Sequence, residues 1–146
     1  MEYQKLNLLF LCSRKFSHEK NRMQDLSDTE CMICSYIYSH ENCSQDETSA
    51  ALKTDKTTVG KALVTLEKKA LIVRTQDAQD KRIKRLTITD EGRKKIAGLL
   101  SLHDKWLSEI MKCLSDDEQK QFENYCERLL ASAEELIEKN NGGLPE

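Results

Sequence analysis

Apolar residues at Leu6, Leu9, Cys12 or Ser13, and Phe16 recur three or four places apart, so residues 2–20 read as a helix that buries one stripe. Further along, three Ser-x-x-Glu runs stand out: Ser27 to Glu30, Ser44 to Glu47 and Ser115 to Glu118. A serine so placed accepts a bond from an amide of the first helical turn while the glutamate reaches back to the serine amide. Each run therefore predicts a helix start. The helix from Ser27 carries Ile33, Cys34 and Ile37 on its inner face and ends near His40 to Asn42. A short helix from Ser44 carries Ala51 and Leu52 and stops at Lys53-Thr54, where Asp55 is well placed to cap the next one. That next helix, about 56–69, has its apolar stripe at Val59, Ala62, Leu63, Leu66 and Ala70, opposite a face of Lys56, Thr57, Gly60, Lys61 and Lys68.

Beyond it the period drops from about four to two. The run Leu71 to Thr75 is short and β-branched, Asp77-Ala78-Gln79-Asp80 is turn chemistry, and Leu86-Thr87-Ile88 alternates as a returning strand. This predicts a β-hairpin with a charged tip. After Thr89 the helical period returns, with Leu99, His103, Trp106, Ile110 and Cys113 on one stripe. A last helix from Ser115 repeats the pattern through Phe122, Cys126, Leu129, Ala133 and Leu136, before Gly142-Gly143 and Pro145 end the order. The fold class expected is mostly α with a small β-hairpin.

Composition agrees with that reading. The chain has 146 residues, enough for one domain with a modest core, and is 33% charged and 5% aromatic with 5 Gly and 1 Pro, which suits a helical protein. The net charge of -2 conceals a strong asymmetry. Residues 1–52 hold five basic and eight acidic side chains, residues 53–95 thirteen and six, and residues 96–146 five and eleven. A central basic block between acidic flanks attracts phosphate to one face and repels it elsewhere. The start of the chain lacks the pattern of a signal peptide, and no stretch approaches the ~18 apolar residues of a membrane span, so a cytoplasmic location without membrane contact is expected. There the six cysteines, at 12, 31, 34, 43, 113 and 126, would be reduced thiols.

Two helices joined by a tight turn and followed by a hairpin make a winged helix-turn-helix. An α-helix fits the major groove of B-DNA, the helix before it crosses the backbone, and the hairpin reaches an adjacent minor groove. Lys56, Thr57, Thr58 and Lys61 are donors near the start of the second helix, where the helix dipole also favours anions. Lys81 and Arg82 sit at the wing tip, and a narrow minor groove concentrates negative potential that rewards an arginine.

The stretches Ser44-Gln45-Asp46-Glu47, Asp55 to Val59 and Leu66 to Arg74 resemble the helix-turn-helix signature of the MarR family of regulators. Asp77 to Arg82 is similar to that family's wing, and Leu86 to Gly92 to the strand leading into its next helix. The resemblance covers about residues 26–95. It implies that Thr57, Thr58 and Lys61 lie in the major groove, that Arg82 enters the minor groove and that Asp80 orients the wing. It also implies a single domain over 1–146, with a dimerisation helix over 1–25, the winged helix-turn-helix over 26–95, dimerisation helices over 96–139 and a disordered tail over 140–146. The function implied is sequence-specific binding of double-stranded DNA by a homodimer, as a repressor on a pseudo-palindromic operator, with release by a small-molecule effector. Gly60, Ala70, Ala78 and Thr48 depart from the family pattern, Gly60 by leaving no side chain on the reading face, Ala70 by replacing a helix-ending glycine, Ala78 by replacing a wing proline and Thr48 by replacing a core leucine.

The same sequence holds residues of other chemistries. Cys12, late in the first helix, resembles in position the reactive cysteine of the family's peroxide-sensing branch, against a plain packing role beside Leu9 and Phe16. His40, Glu41, Cys43 and His103 are of zinc-ligand type but scattered, whereas Cys31 and Cys34 share one helix and suit core packing. A winged helix serving only protein contacts is a further alternative. No phosphate-binding glycine loop, His-Glu-x-x-His or Gly-x-Ser-x-Gly occurs, so neither an enzyme nor a cofactor is expected.

Overall fold

The computed structural model describes residues 3–139, in which six helices and three strands follow one another. Their order is α1 (Tyr3–Met23), α2 (Asp28–Ser39), β1 (Cys43–Ser44), α3 (Gln45–Ala51), α4 (Lys56–Lys68), β2 (Ile72–Gln76), β3 (Lys84–Ile88), α5 (Asp90–Met111) and α6 (Asp116–Lys139). The mostly helical class with a small hairpin is the one that forms. The tail expected over 140–146 lies outside the described residues. The chain divides into two compact units, residues 1–103 and 104–146.

All three capping boxes form. Ser27 Oγ accepts from the Glu30 amide at 3.1 Å while the Ser27 amide donates to Glu30 Oε2 at 3.2 Å. At Ser44 the same pair measures 3.1 and 2.6 Å, and at Ser115 the amide donates to Glu118 at 2.8 Å with a longer return bond of 3.4 Å. Asp55 caps α4, accepting from the Thr58 amide at 2.8 Å. Each such cap satisfies amides that the first turn leaves without a helical partner, which is why these short sequences set the boundaries.

The end of α4 corrects the sequence reading. Ala70 does not extend the buried stripe; it is exposed, beyond the helix, with φ at 55°. The Leu71 amide bonds to Leu66 O at 3.0 Å and the Ala70 amide to Glu67 O at 3.0 Å, the double closure that ends a helix on a left-handed residue. That closure turns the chain into β2, and a β-carbon here is strained where glycine would be free.

The sheet has three strands in the order β1-β3-β2, all antiparallel, one more than the hairpin expected. Strand β1 pairs Cys43 with Leu86 and Ser44 with Arg85, and two residues are too few to show an alternating pattern in sequence. Strands β2 and β3 pair from Ile72 with Ile88 to Gln76 with Lys84.

The core of the first unit gathers around α4, whose Val59, Leu63 and Leu66 are fully buried with Ile33 and Ile37 of α2 and Leu86 of β3. Ile96 and Leu99 of α5 complete it. Helix α1 presents a narrower inward face than its spacing implied: Leu6, Ser13 and Phe16 are half-buried, but Leu9 and Cys12 are exposed with Leu8, Phe10 and Leu11. In the second unit α6 buries no residue, and Phe122, Tyr125, Leu129, Leu130, Leu136 and Ile137 are exposed. No helix among the described residues is long and apolar enough to cross a membrane.

Where the sheet hands over to α5, the backbones come very close. Thr89 donates its amide to Leu71 O at 3.0 Å and its hydroxyl to Ala70 O at 2.7 Å, and accepts from the Gly92 amide at 3.0 Å. A β-carbon on Gly92 would stand 2.1 Å from the Leu71 carbonyl oxygen. Gly92→Ala is expected to lower stability by about 3 kcal/mol, since backbone rather than a flexible side chain must move. Ala70→Gly should act oppositely, raising stability by about 0.5–1 kcal/mol after the entropy gained by the unfolded chain is deducted. Urea unfolding midpoints of the two variants check both signs.

Candidate nucleic-acid interface

Helices α3 and α4 are held by side chains that cross their turn. Gln45 Nε2 donates to Lys56 O at 3.0 Å, the Thr54 amide donates to Ser49 O at 3.1 Å, and Ser49 Oγ returns a bond to Thr54 O. Lys53 supplies the bend with φ at 50°. Thr48, fully buried where a leucine was the expected type, keeps its hydroxyl satisfied by donating to Ser44 O at 2.8 Å. Its polar atom is therefore not an unpaired cost to the core.

Gly60 answers to the same packing. It lies under the Gln45 side chain, and a β-carbon there would approach Gln45 Nε2 to 3.1 Å. The glycine thus makes room for the bond that fixes α3 on α4, rather than leaving an open gap on the reading face.

With Val59, Leu63 and Leu66 turned inward, α4 turns Thr57, Lys61, Val64 and Lys68 outward, spaced four, three and four apart. Val64, 42% exposed, is the member the sequence reading did not single out. Thr58 behaves differently from its neighbours. It is half-buried, and its hydroxyl donates to Asp55 Oδ2 at 2.6 Å, so it completes the cap. The Thr58 hydroxyl and then its amide hold the Asp55 carboxyl below the ordinary range. Lys56 Nζ stands 3.0 Å from Asp46 Oδ1, and both side chains are exposed. Among the described residues no acid pairs with Lys61, Lys68, Lys81 or Lys84.

The wing is organised by Asp77, which the sequence places in a turn and in the wing-like stretch without assigning it this role. Asp77 Oδ1 accepts from the amides of Gln79 at 2.8 Å and Asp80 at 2.9 Å, while its Oδ2 accepts from Arg85 Nε at 2.6 Å. The Asp80 amide, then the Arg85 guanidinium and the Gln79 amide, hold the Asp77 carboxyl down to about 2. Arg85 also reaches Asn42 O at 3.3 Å and Glu47 at 3.4 Å, tying the wing to the start of α3. Asp80 in turn accepts from the Arg82 amide at 2.9 Å, and Lys81 O accepts from Gln76 at 2.8 Å. The Arg82 side chain is 95% exposed, with Asp80 3.8 Å from its Nε.

A cleft of about 430 Å³ opens elsewhere in the first unit, lined by Arg14, Asn21, Asp28 and Cys31 with His103. Asn21 donates through Nδ2 to Asp28 Oδ1 at 3.0 Å, leaving its buried Oδ1 without a partner, as is His103 Nε2. The remaining chemical candidates scatter. Among the described residues no three His, Cys, Asp or Glu side chains converge on a metal position, so the zinc reading on His40, Glu41, Cys43 and His103 is not supported. Glu41 instead pairs with Arg93, His40 stacks on Tyr36 with centroids 4.2 Å apart, and Cys43 meets Thr48 at 3.5 Å. Cys31 and Cys34 are core residues, and burial pushes the Cys34 thiol up to about 12. Cys12 lies exposed on α1.

The arrangement of α3, α4 and the wing matches known proteins. A sequence model described as MarR family matches residues 26–84, from two residues before α2 to the first residue of β3. Residues 26–84 belong to the MarR family. Among its relatives, HTH-type transcriptional regulator BilQ of Clostridioides difficile is 30% identical over 86 residues, which is 59% of this chain and 58% of BilQ. Transcriptional repressor MprA of Escherichia coli is 28% identical over 142 residues, 92% of this chain and 81% of MprA. The S. aureus MepR–DNA complex superposes with a TM-score of 0.79 at 27% identity, covering 90% of this chain and 98% of MepR. By that segment and these relatives the chain is a transcriptional regulator with a DNA-binding fold, and not an enzyme.

The Asp77 geometry sets a pH limit on the wing. Its carboxyl is depressed in the fold, so its contribution is present above the ordinary carboxylate range near 3.8 and is lost as pH falls towards about 2. A carboxyl-carbon NMR titration should show Asp77 as the late-protonating aspartate. Asp77→Asn should speed amide exchange at Gln79 and Asp80 at neutral pH.

Proposed function

We propose that the chain is a cytoplasmic repressor that binds a pseudo-palindromic duplex operator as a homodimer, with α4 in the major groove and the wing at the adjacent minor groove. The observation that carries this reading is the outward row of Thr57, Lys61 and Lys68 beside an exposed Lys81-Arg82 tip, on a face where the lysines have no acid partner among the described residues. Lys56 contributes with its charge shared with Asp46, Thr58 by fixing the first turn of α4, and Asp80 by holding the amide of Arg82. The repressor sense follows the relative that bears that name.

Dimerisation is supported by the apolar side chains left uncovered in a single chain, Leu8, Phe10 and Leu11 on α1 and Leu129 and Leu130 on α6. Exposed apolar surface on this scale marks an interaction site. An effector that releases DNA would find in the cleft by Arg14 an unpartnered acceptor on Asn21 and an unpartnered nitrogen on His103.

Fluorescence anisotropy on a duplex selected from a random library tests the reading. Lys61→Ala or Arg82→Ala should weaken binding by about 1–3 kcal/mol if the side chain touches bases, or lower the salt slope by about one if it touches only phosphate. Binding unchanged in both affinity and salt slope removes that residue from the interface. Sedimentation should give a dimer, and a strictly monomeric chain overturns the two-half-site arrangement.

A further inference from the structure

The outward row of α4 contains one residue that its neighbours do not explain. Thr57, Lys61 and Lys68 are donors suited to phosphate or base edges, but Val64 between the lysines is apolar and 42% exposed. The core-facing stripe of Val59, Leu63 and Leu66 is buried without Val64, which leaves much of its side chain to solvent. A β-branched residue is also a poorer helix former than alanine at an exposed position, so helix propensity does not account for it.

The surroundings of Val64 define what it can meet. Lys61 lies three residues before it and Lys68 four after, on the same face and with no acid partner among the described residues. A polyanion is drawn to such a face, whereas an apolar protein partner would have to bury two unpaired ammonium groups beside it. Among the base edges that unmodified DNA shows in its major groove, the apolar group is the C5 methyl of thymine. We propose that Val64 reads that methyl in each half-site of the operator. The proposal rests on the DNA-binding reading above and adds a base preference to it: thymine at one position that α4 faces.

The geometry separates this role from that of the lysines. Phosphate contacts fix register without carrying base identity, whereas a methyl packed on a valine discriminates thymine from cytosine and from uracil. Uracil pairs identically and differs from thymine only by the missing methyl, so it isolates the contact.

The test uses the full-length chain and the best duplex from a random double-stranded library. Thymines of that duplex are replaced one symmetric pair at a time by deoxyuridine, and affinity is measured for the wild type and for Val64→Ala. The wild type should lose about four-fold per half-site at one symmetric position, the loss that burial of one methyl predicts. Val64→Ala should bind the thymine and uracil duplexes alike at that position. A wild type indifferent to every substitution overturns the proposal while leaving DNA binding intact. The same holds if Val64→Ala keeps the full thymine preference, or if it alters sedimentation instead, which would give Val64 to a protein contact. Failure of the wild type to select any duplex overturns the DNA-binding reading itself, and the proposal with it.

Discussion

Rotation of α4 about its own axis is set by the burial of Val59, Leu63 and Leu66 against α2 and β3, and everything the chain shows outward follows from it. Each of those side chains contributes roughly 1.5–3 kcal/mol on leaving water, so turning the helix by one residue would expose several at once. The same lock that buries this stripe aims Thr57, Lys61, Val64 and Lys68 into solvent as a single row. The outer row of α4 is the other side of a packing problem.

Around that lock, polar contacts fix what packing leaves free. Gln45 reaches over Gly60 to the backbone of Lys56, which sets the relation of α3 to α4. Lys69, near the end of α4, stands 2.9 Å from Glu30 of α2 and also bonds to Asp25 O. Its partner Glu30 also closes the capping box of α2, so one carboxylate serves both a helix start and an ion pair between helices. Burial would raise the Asp28 carboxyl, but bonds from Asn21 and His18 of α1 outweigh it and hold it low, so the first helix is joined to the second by charge as well as by contact.

Much of this is legible in the sequence. Helix starts were readable because Ser27, Ser44, Asp55 and Ser115 act on amides within three residues of themselves, a distance sequence shows directly. Lys61 and Arg82 could be placed because helical and hairpin periods decide which way they face. What escaped depends on contacts between distant positions. Asp77 gains its partner Arg85 only through the hairpin, and β1 exists only because Leu86 passes alongside. Ala70 looked like one more apolar position at the right spacing, but a helix that must turn sharply into a strand stops before it gets there. Leu9 and Cys12 are read as inward by spacing alone, yet a single chain offers nothing to cover them.

Arg85 has a mechanical meaning beyond its bonds. Because one guanidinium grips the wing at Asp77, the residue before β1 at Asn42 and the start of α3 at Glu47, the hairpin and α3 behave as the two jaws of one caliper. A shift that moves one jaw drags the other, so the hairpin and the start of α3 are displaced together or not at all.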